Sequence, residues 1–289
     1  VLVFRLLVTA LVVYLFLLAL AWLFQERLAF PAPRSPLPDP ANIGLPDVRP
    51  LHLTMWDGTR ITGWFLPPQT PAGPSGPALL WFYGNAETIG SIWPILRDFR
   101  PPMASLLVVD YPGYGASSGR ASEAGLYAAA ELAFATLRAQ PEVDSRRVFV
   151  YGRSLGSAVA IHVAAHHDVA GLVLEAPFTS ARDLSRRHYP FLPRFVVRVQ
   201  LDNLRTIRRT NCPVLVVHGA ADRLVPAAMG ERVAKAAPGP SELVLIEGAD
   251  HNDTYARGGR RYRDRLWDFI RRPPEDRTLP PVPDPPPAG

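Results

Sequence analysis

Residues 147–166 read RVFVYGRSLGSAVAIHVAAH. Arg147 to Tyr151 is a short, almost continuously apolar run, as expected of a strand buried on both faces of a parallel sheet, and Leu155 to His166 carries a helical pattern. Between them Gly152-Arg153-Ser154-Leu155-Gly156 forms GxSxG, and strand before with helix after is the setting in which that motif has chemical meaning. Small residues on both flanks allow a sharp turn that lifts the Ser154 hydroxyl above the sheet. The same turn puts the Leu155 amide at a helix amino terminus, where unpaired donors and the helix dipole favour a developing oxyanion.

The apolar signature recurs on both sides of this stretch. Ala78 to Tyr83, Ser105 to Asp110, Gly171 to Glu175, Pro213 to His218 and Glu242 to Glu247 are expected strands. Helices are expected over Thr88 to Phe99, Ser122 to Gln140, Ala227 to Ala237 and Arg260 to Arg271. Val48 to Thr54 and Arg60 to Leu66, joined by Asp57-Gly58, read as an antiparallel hairpin that opens the sheet. The expectation is an α/β fold: an eight-stranded, mostly parallel sheet with helices on both faces and right-handed crossovers, spanning residues 48–272. Residues 177–211 break the rhythm with Pro190, Pro193 and several large apolar side chains, and read as a short cap or lid insertion.

Composition narrows the classes. Hydrophobic residues make up 48% and charged residues 20% of the 289, which excludes a disordered acidic chain. The net charge of +5 comes from scattered arginines, with Lys235 the only lysine, and no basic stripe interleaves with aromatics, so no nucleic-acid partner is expected. Cys212, alone, excludes an intramolecular disulfide, a CxxC pair and a cysteine zinc cluster.

Leu6 to Phe24 is nineteen residues without a charge. At about 1.5 Å per residue such a helix crosses roughly the 30 Å hydrocarbon layer. Residues 1–25 therefore read as an uncleaved single-pass anchor, with the membrane as partner through residues 6–24. Ala19-Leu20-Ala21 has the small-x-small form of a processing site, so a cleaved secretory signal is the rival; the run exceeds the about 7 to 15 apolar residues usual for a signal core. Arg5 on one side nearly balances Arg27 and Arg34 on the other, which leaves the side of the membrane open. Seven prolines between Pro31 and Pro50 make residues 26–47 a linker expected to lift the domain off the bilayer. PPEDRTLPPVPDPPPAG, residues 273–289, is an expected extended, disordered tail.

A serine hydroxyl needs a base, and the base needs an orienting acid. Of seven histidines, His251 lies in Gly248-Ala249-Asp250-His251-Asn252 just after the last strand, at the carboxyl edge of the sheet where chemistry belongs. His218 ends a strand and reads as a support for the following loop. Asp222 follows the penultimate strand and is the candidate acid; Asp110, in Asp110-Tyr111-Pro112-Gly113-Tyr114-Gly115, reads as part of a structural turn closing the pocket, with Tyr114 facing substrate. Asp250 and Asp253 read as loop-stabilising neighbours of His251. A second oxyanion donor is expected from Tyr83-Gly84-Asn85-Ala86-Glu87, with the Asn85 amide the first choice and Ala86 the second. In the insertion Phe178, Tyr189, Phe191, Leu192, Phe195 and Val196 are candidates to line an acyl-chain channel, or simply to pack the cap. Arg153, beside the nucleophile, reads first as a solvent-facing helix residue and second as a contact for an anionic group.

FQERLAFP just after the apolar run, then YGNAET, DYPGYGASSG, YGRSLGSAVA, APFTS, HGAADRLVP and GADHND, resemble the α/β hydrolases of the lysophospholipase and serine-aminopeptidase-like, monoglyceride-lipase-related superfamily. The resemblance covers about Leu23 to Arg271, and the order Ser154, Asp222, His251 is the order of that fold. One departure is Tyr83-Gly84 where the family commonly has His-Gly. The resemblance implies a serine hydrolase that needs no cofactor, acting on an ester, thioester or amide of a small acyl ester, lipid or peptide. A carboxylesterase or lysophospholipase-like lipase is the first reading; a serine aminopeptidase-like peptidase and a silent membrane scaffold are alternatives. Glycines 113, 115 and 119 are spaced GxGxxxG, not GxGxxG, which argues against dinucleotide binding, and there is no HExxH or comparable cluster for a catalytic metal.

Overall fold

The computed structural model describes residues 1–71 and 73–271. Among these, runs of Val, Leu and Ile too apolar for a half-solvated sheet form a single eight-stranded sheet. Its strands are β1 (Arg49–Thr54), β2 (Arg60–Leu66), β3 (Gly76–Phe82), β4 (Ser105–Val109), β5 (Val143–Arg153), β6 (Gly171–Glu175), β7 (Val214–Gly219) and β8 (Ser241–Ile246). They lie in the order β1-β2-β4-β3-β5-β6-β7-β8. The hairpin β1–β2 and the pair β2–β4 are antiparallel, and every pairing from β4 to β8 is parallel. All residues of β4, β6 and β7 are buried, as covering both faces of a parallel sheet requires.

The crossovers are α2 (Ile89–Phe99), α3 (Glu123–Arg138), α4 (Leu155–His166) and α7 (Ala227–Ala236), and α8 (Thr254–Arg271) closes the domain. Their starts are written in the sequence: Thr88 and Ser91 form a reciprocal capping box on α2, and the Ser122 hydroxyl accepts from the Gly125 amide at α3. The α4 helix is buried from Leu155 to Ile161, where it packs against the sheet, and its last turn reaches solvent at His162 and His166. Two elements are longer than the sequence pattern predicts. The β5 strand continues through Arg153, and α8 begins at Thr254 with a kink at Gly259, whose φ of 47° a glycine adopts at little cost.

The α1 helix (Leu2–Ala29) is long and apolar enough to cross a membrane, and none of its residues is buried in the domain. It runs four residues into the segment read as linker, and that segment does not stand off from the domain. Phe30 and Leu45 are buried in the core, the Gly115 amide donates to the Pro33 carbonyl at 2.8 Å, and Arg34 donates to the Ser117 and Gly119 carbonyls. Proline fixes φ without needing a donor, so a proline-rich strap lies on a surface as readily as it extends into solvent. The expected tail at 273–289 falls outside the described residues.

The insertion between β6 and β7 holds α5 (Ala181–His188) and α6 (Asn203–Thr206). Its middle lies along α1. Tyr14 donates to the Phe191 carbonyl (2.7 Å), the Gln25 carboxamide oxygen accepts from the Arg198 and Val199 amides (2.6 and 3.0 Å), and the Arg198 guanidinium lies 4.3 Å from the Trp22 ring centre.

Candidate active site

The geometry at Ser154 follows from its two glycines. A Cβ on Gly156 would run into the backbone of Phe82 and Tyr83, and one on Gly152 into Gly156 and Ala160, so β5, β3 and α4 approach as closely as they do only with glycine at both positions. Ser154 itself takes φ 49°, ψ −113°, a conformation that costs a non-glycine residue about 1–3 kcal/mol, and its backbone N–H donates a hydrogen bond to the Glu175 carbonyl at 2.9 Å.

His251, in the loop after β8, places Nε2 at 3.0 Å from Ser154 Oγ and Nδ1 at 2.7 Å from Asp222 Oδ2. Three candidates drawn from separate loops thus meet at one sheet edge. Asp222 Oδ1 accepts from the Leu224 and Val225 amides at 3.0 and 2.7 Å. Burial alone would raise the Asp222 pKa, but hydrogen bonds from His218 and His251, the charge on His251 and the Val225 amide outweigh it and hold the carboxyl well below its ordinary value. His218 Nε2 faces the Val225 carbonyl at 2.8 Å and Asp222 Oδ2 at 3.4 Å, bracing the loop as its position predicts. Asp250 accepts from the His251 and Arg223 amides, and Asp253 accepts from the Asp250 amide.

The loop after β3 is fixed by its own side chains. The Gly84 amide donates to Glu87 Oε2 (2.6 Å) and the Ala86 amide to Asn85 Oδ1 (3.1 Å), which takes up Ala86, the second candidate donor. The Asn85 carboxamide is held from both ends, its Nδ2 donating to the Ala29 carbonyl at 2.7 Å and its Oδ1 accepting from Tyr114 at 2.6 Å. The backbone amides of Asn85 and Leu155 make no hydrogen bond to another described group. Tyr83, the departure from the family pattern, is fully used: its hydroxyl donates to Asp110 Oδ1 (3.0 Å) and accepts from the Tyr111 amide (3.2 Å), while Tyr111 donates back to the Tyr83 carbonyl. Asp110 also accepts from the Ile89 and Ala116 amides, the structural role its turn suggests; burial raises its pKa.

Arg153 corrects the sequence reading. It is 5% exposed, at the end of β5 and not on the helix surface. Its guanidinium donates to Glu87 (2.5 Å), Glu175 (3.2 Å), the His251 carbonyl (2.8 Å) and Asn252 Oδ1 (2.9 Å). Glu175, with no exposed surface, accepts in addition from Tyr151, Tyr262 and Thr254. Glu87 and Glu175 are residues the sequence reading passed over; an acid in the loop after β3 and another at the end of β6, the strands on either side of β5, with an arginine inside GxSxG, were the available signal.

The candidate substrate contacts divide. Tyr114 and Phe178 are buried, the first bonded to Asn85 and the second with its carbonyl accepting from Asn203. Tyr189 is 56% exposed and Leu192 half-buried, both in the part of the cap that lies along α1.

Comparison with known proteins agrees with this architecture. The family model described as serine aminopeptidase, S33, matches residues 75–211. An uncharacterized protein of Mycobacterium tuberculosis is 37% identical over 260 residues, 86% of this chain and 88% of that one. The alpha/beta hydrolase domain-containing protein 17B of Homo sapiens is 30% identical over 193 residues, 66% of this chain and 65% of the relative. Among solved structures, the Pyrococcus furiosus esterase Pf2001 superposes with a TM-score of 0.67 at 18% identity, covering 83% of this chain and 97% of that one. With its sheet order, its strand-turn-serine-helix and these relatives, the chain belongs to the α/β-hydrolase family.

Proposed function

We propose that this chain is a membrane-anchored serine hydrolase that cleaves an acyl ester, thioester or amide through an acyl-enzyme on Ser154. The observation that carries the reading is the hydrogen-bonded line from Ser154 Oγ through His251 to Asp222, at 3.0 and 2.7 Å. The Ser154 proton passes to His251 Nε2 as Oγ bonds to the carbonyl carbon. Asp222, kept ionised, accepts from His251 Nδ1–H and stabilises the imidazolium. The Asn85 and Leu155 amides receive the oxyanion; each such donor is worth about a hundred- to a thousandfold in turnover. His251 then protonates the leaving group as its bond to carbon breaks, and water repeats the sequence to free the acid and restore Ser154.

Esters are the favoured class. Glu87 and Glu175, the acids beside the nucleophile, are both engaged by Arg153, and Glu175 has no exposed surface, so neither is presented to the free ammonium of a peptide amino terminus. The apolar cap alongside α1 supports a lipid acyl chain arriving from a bilayer, with α1 as the anchor and Phe178, Tyr189 and Leu192 along the chain's path. The test is fluorophosphonate labelling of the full chain in detergent: one label per chain is expected, abolished in Ser154→Ala. Labelling of Ser154→Ala at the wild-type level would falsify the nucleophile assignment. Hydrolysis of aminoacyl anilides in preference to p-nitrophenyl acyl esters would instead move the substrate class to peptides.

A further inference from the structure

At the far end of α4 from Ser154, three groups that play no part in this chemistry converge. His162 and His166 are one turn apart on α4, and Glu131 reaches them from α3; one ligand atom from each lies within 4.8 Å of the other two. The Glu131 carboxylate has Oε1 at 3.0 Å from His162 Nε2 and Oε2 at 2.5 Å from Nε2 of His167. The His166 Nδ1 lies 2.8 Å from the His162 carbonyl, so that edge of the ring donates its proton to the backbone and Nε2 keeps its lone pair. At present Arg209 Nη2 approaches that lone pair at 3.5 Å.

We infer that Glu131, His162 and His166 form a binding site for a divalent transition-metal cation of the zinc type, which clamps α3 to the carboxyl end of α4. Several independent features favour a cation here. Two imidazoles and one carboxylate are a zinc-type donor set that leaves a fourth position to water, and their atoms, within 4.8 Å of one another, need to draw together by about 1 Å to bond one ion at about 2.0–2.2 Å. The ring planes are supported from outside: His162 stacks on Tyr127 with centroids 4.1 Å apart and an 8° tilt, and His167 holds the second oxygen of Glu131 while resting on Phe134. Outer contacts of this kind orient metal ligands. The cation would also sit at the last turn of α4, where unpaired carbonyls make the helix end negative. The cation takes the place of the proton now shared between His162 Nε2 and Glu131 and pushes the exposed Arg209 aside. His166 is the last residue of α4 and Ser154 precedes its first, a separation of about 18 Å along the helix, so the ion touches no reacting atom.

The test uses the tag-free full chain in detergent, stripped with EDTA and titrated with Zn2+. One ion per chain is expected, with a thermal transition raised by about 5 °C near saturation and restored by EDTA. His162→Ala, His166→Ala and Glu131→Gln should each weaken binding at least about tenfold, while Arg209→Gln should tighten it. Circular dichroism verifies that each variant is folded, and Co2+ in place of Zn2+ should give the visible absorption of a four-coordinate site, lost in His166→Ala. Failure of the wild type to bind at 100-fold excess of Zn2+, by about 100 µM, or undiminished binding by any of the three ligand variants, overturns the inference.

Discussion

Arg153 Nη2 donates to the carbonyl of His251 at 2.8 Å, so the residue just before the serine holds the backbone of the imidazole that faces it. The same guanidinium reaches Glu87, whose other oxygen receives the Gly84 amide, and through it the loop of Asn85. The turn of Ser154, the loop of Asn85 and the loop of His251 are joined through one side chain.

Arg153→Met is therefore expected to cost far more than a surface arginine. Removing one member of a buried ion network leaves its partners uncompensated, at about 3–5 kcal/mol. Glu175 has no exposed surface to relieve it. Denaturant melts should show this loss, and steady-state kinetics should show a lower kcat with KM for a short ester nearly unchanged. Arg153→Lys, which keeps the charge but not the fork, should recover part of the stability and little of the rate.

Asp222→Asn should lower kcat by about ten-thousandfold, as expected when the imidazole loses its orienting acceptor. The variant also carries a stability signature. The Asp222 carboxyl lies below its ordinary 3.8 in the folded chain, so its contribution is present above that value and is lost as pH falls through the folded pKa. Wild-type stability should drop more steeply than that of Asp222→Asn below about pH 4 in acid titrations followed by fluorescence.

Tyr83→Phe deprives Asp110 of a donor and the Tyr111 amide of an acceptor, both buried. A loss of about 1–3 kcal/mol is expected in thermal melts. Tyr83→His, which keeps a ring donor for Asp110, should retain more activity than Tyr83→Phe on the same ester.

Phe191 and Phe195 are 66% and 80% exposed beside α1. Because Tyr14 lies midway along the apolar run and bonds to the Phe191 carbonyl, an α1 embedded in lipid takes this edge of the cap toward the acyl chains. Phe191→Ser with Phe195→Ser should lower hydrolysis of a vesicle-borne ester severalfold and leave that of a soluble short ester unchanged. An environment-sensitive dye at Leu11→Cys, quenched by lipid-borne quenchers, checks the anchor separately.

Much of this was legible in the chain. The central strands announce themselves because they are buried on both faces, and Ser154, Asp222 and His251 are named by their places just after β5, β7 and β8. What the sequence hides are properties that depend on a distant partner. Arg153 looks like a helix-surface residue until Glu87 and Glu175 are seen beside it. The His162–His166 spacing says little until Glu131 arrives from α3. The pattern predicts a last helix only from Arg260, yet α8 starts at Thr254 and bends at Gly259, Tyr255 and Tyr262 packing at 5.8 Å on the two sides of the kink. The prolines of 31–50 suggest a spacer, and only the buried Phe30 and Leu45 reveal a strap.

The end of α1 touches two parts at once: Gln25 takes the Arg198 and Val199 amides of the cap, and the Ala29 carbonyl takes the Asn85 carboxamide. A domain cut free after Ala29 would release the cap and lose one of the two fastenings on Asn85 in a single stroke. On the anchored reading proposed above, a truncation lacking residues 1–29 is expected to differ from the full chain in its preference among ester substrates.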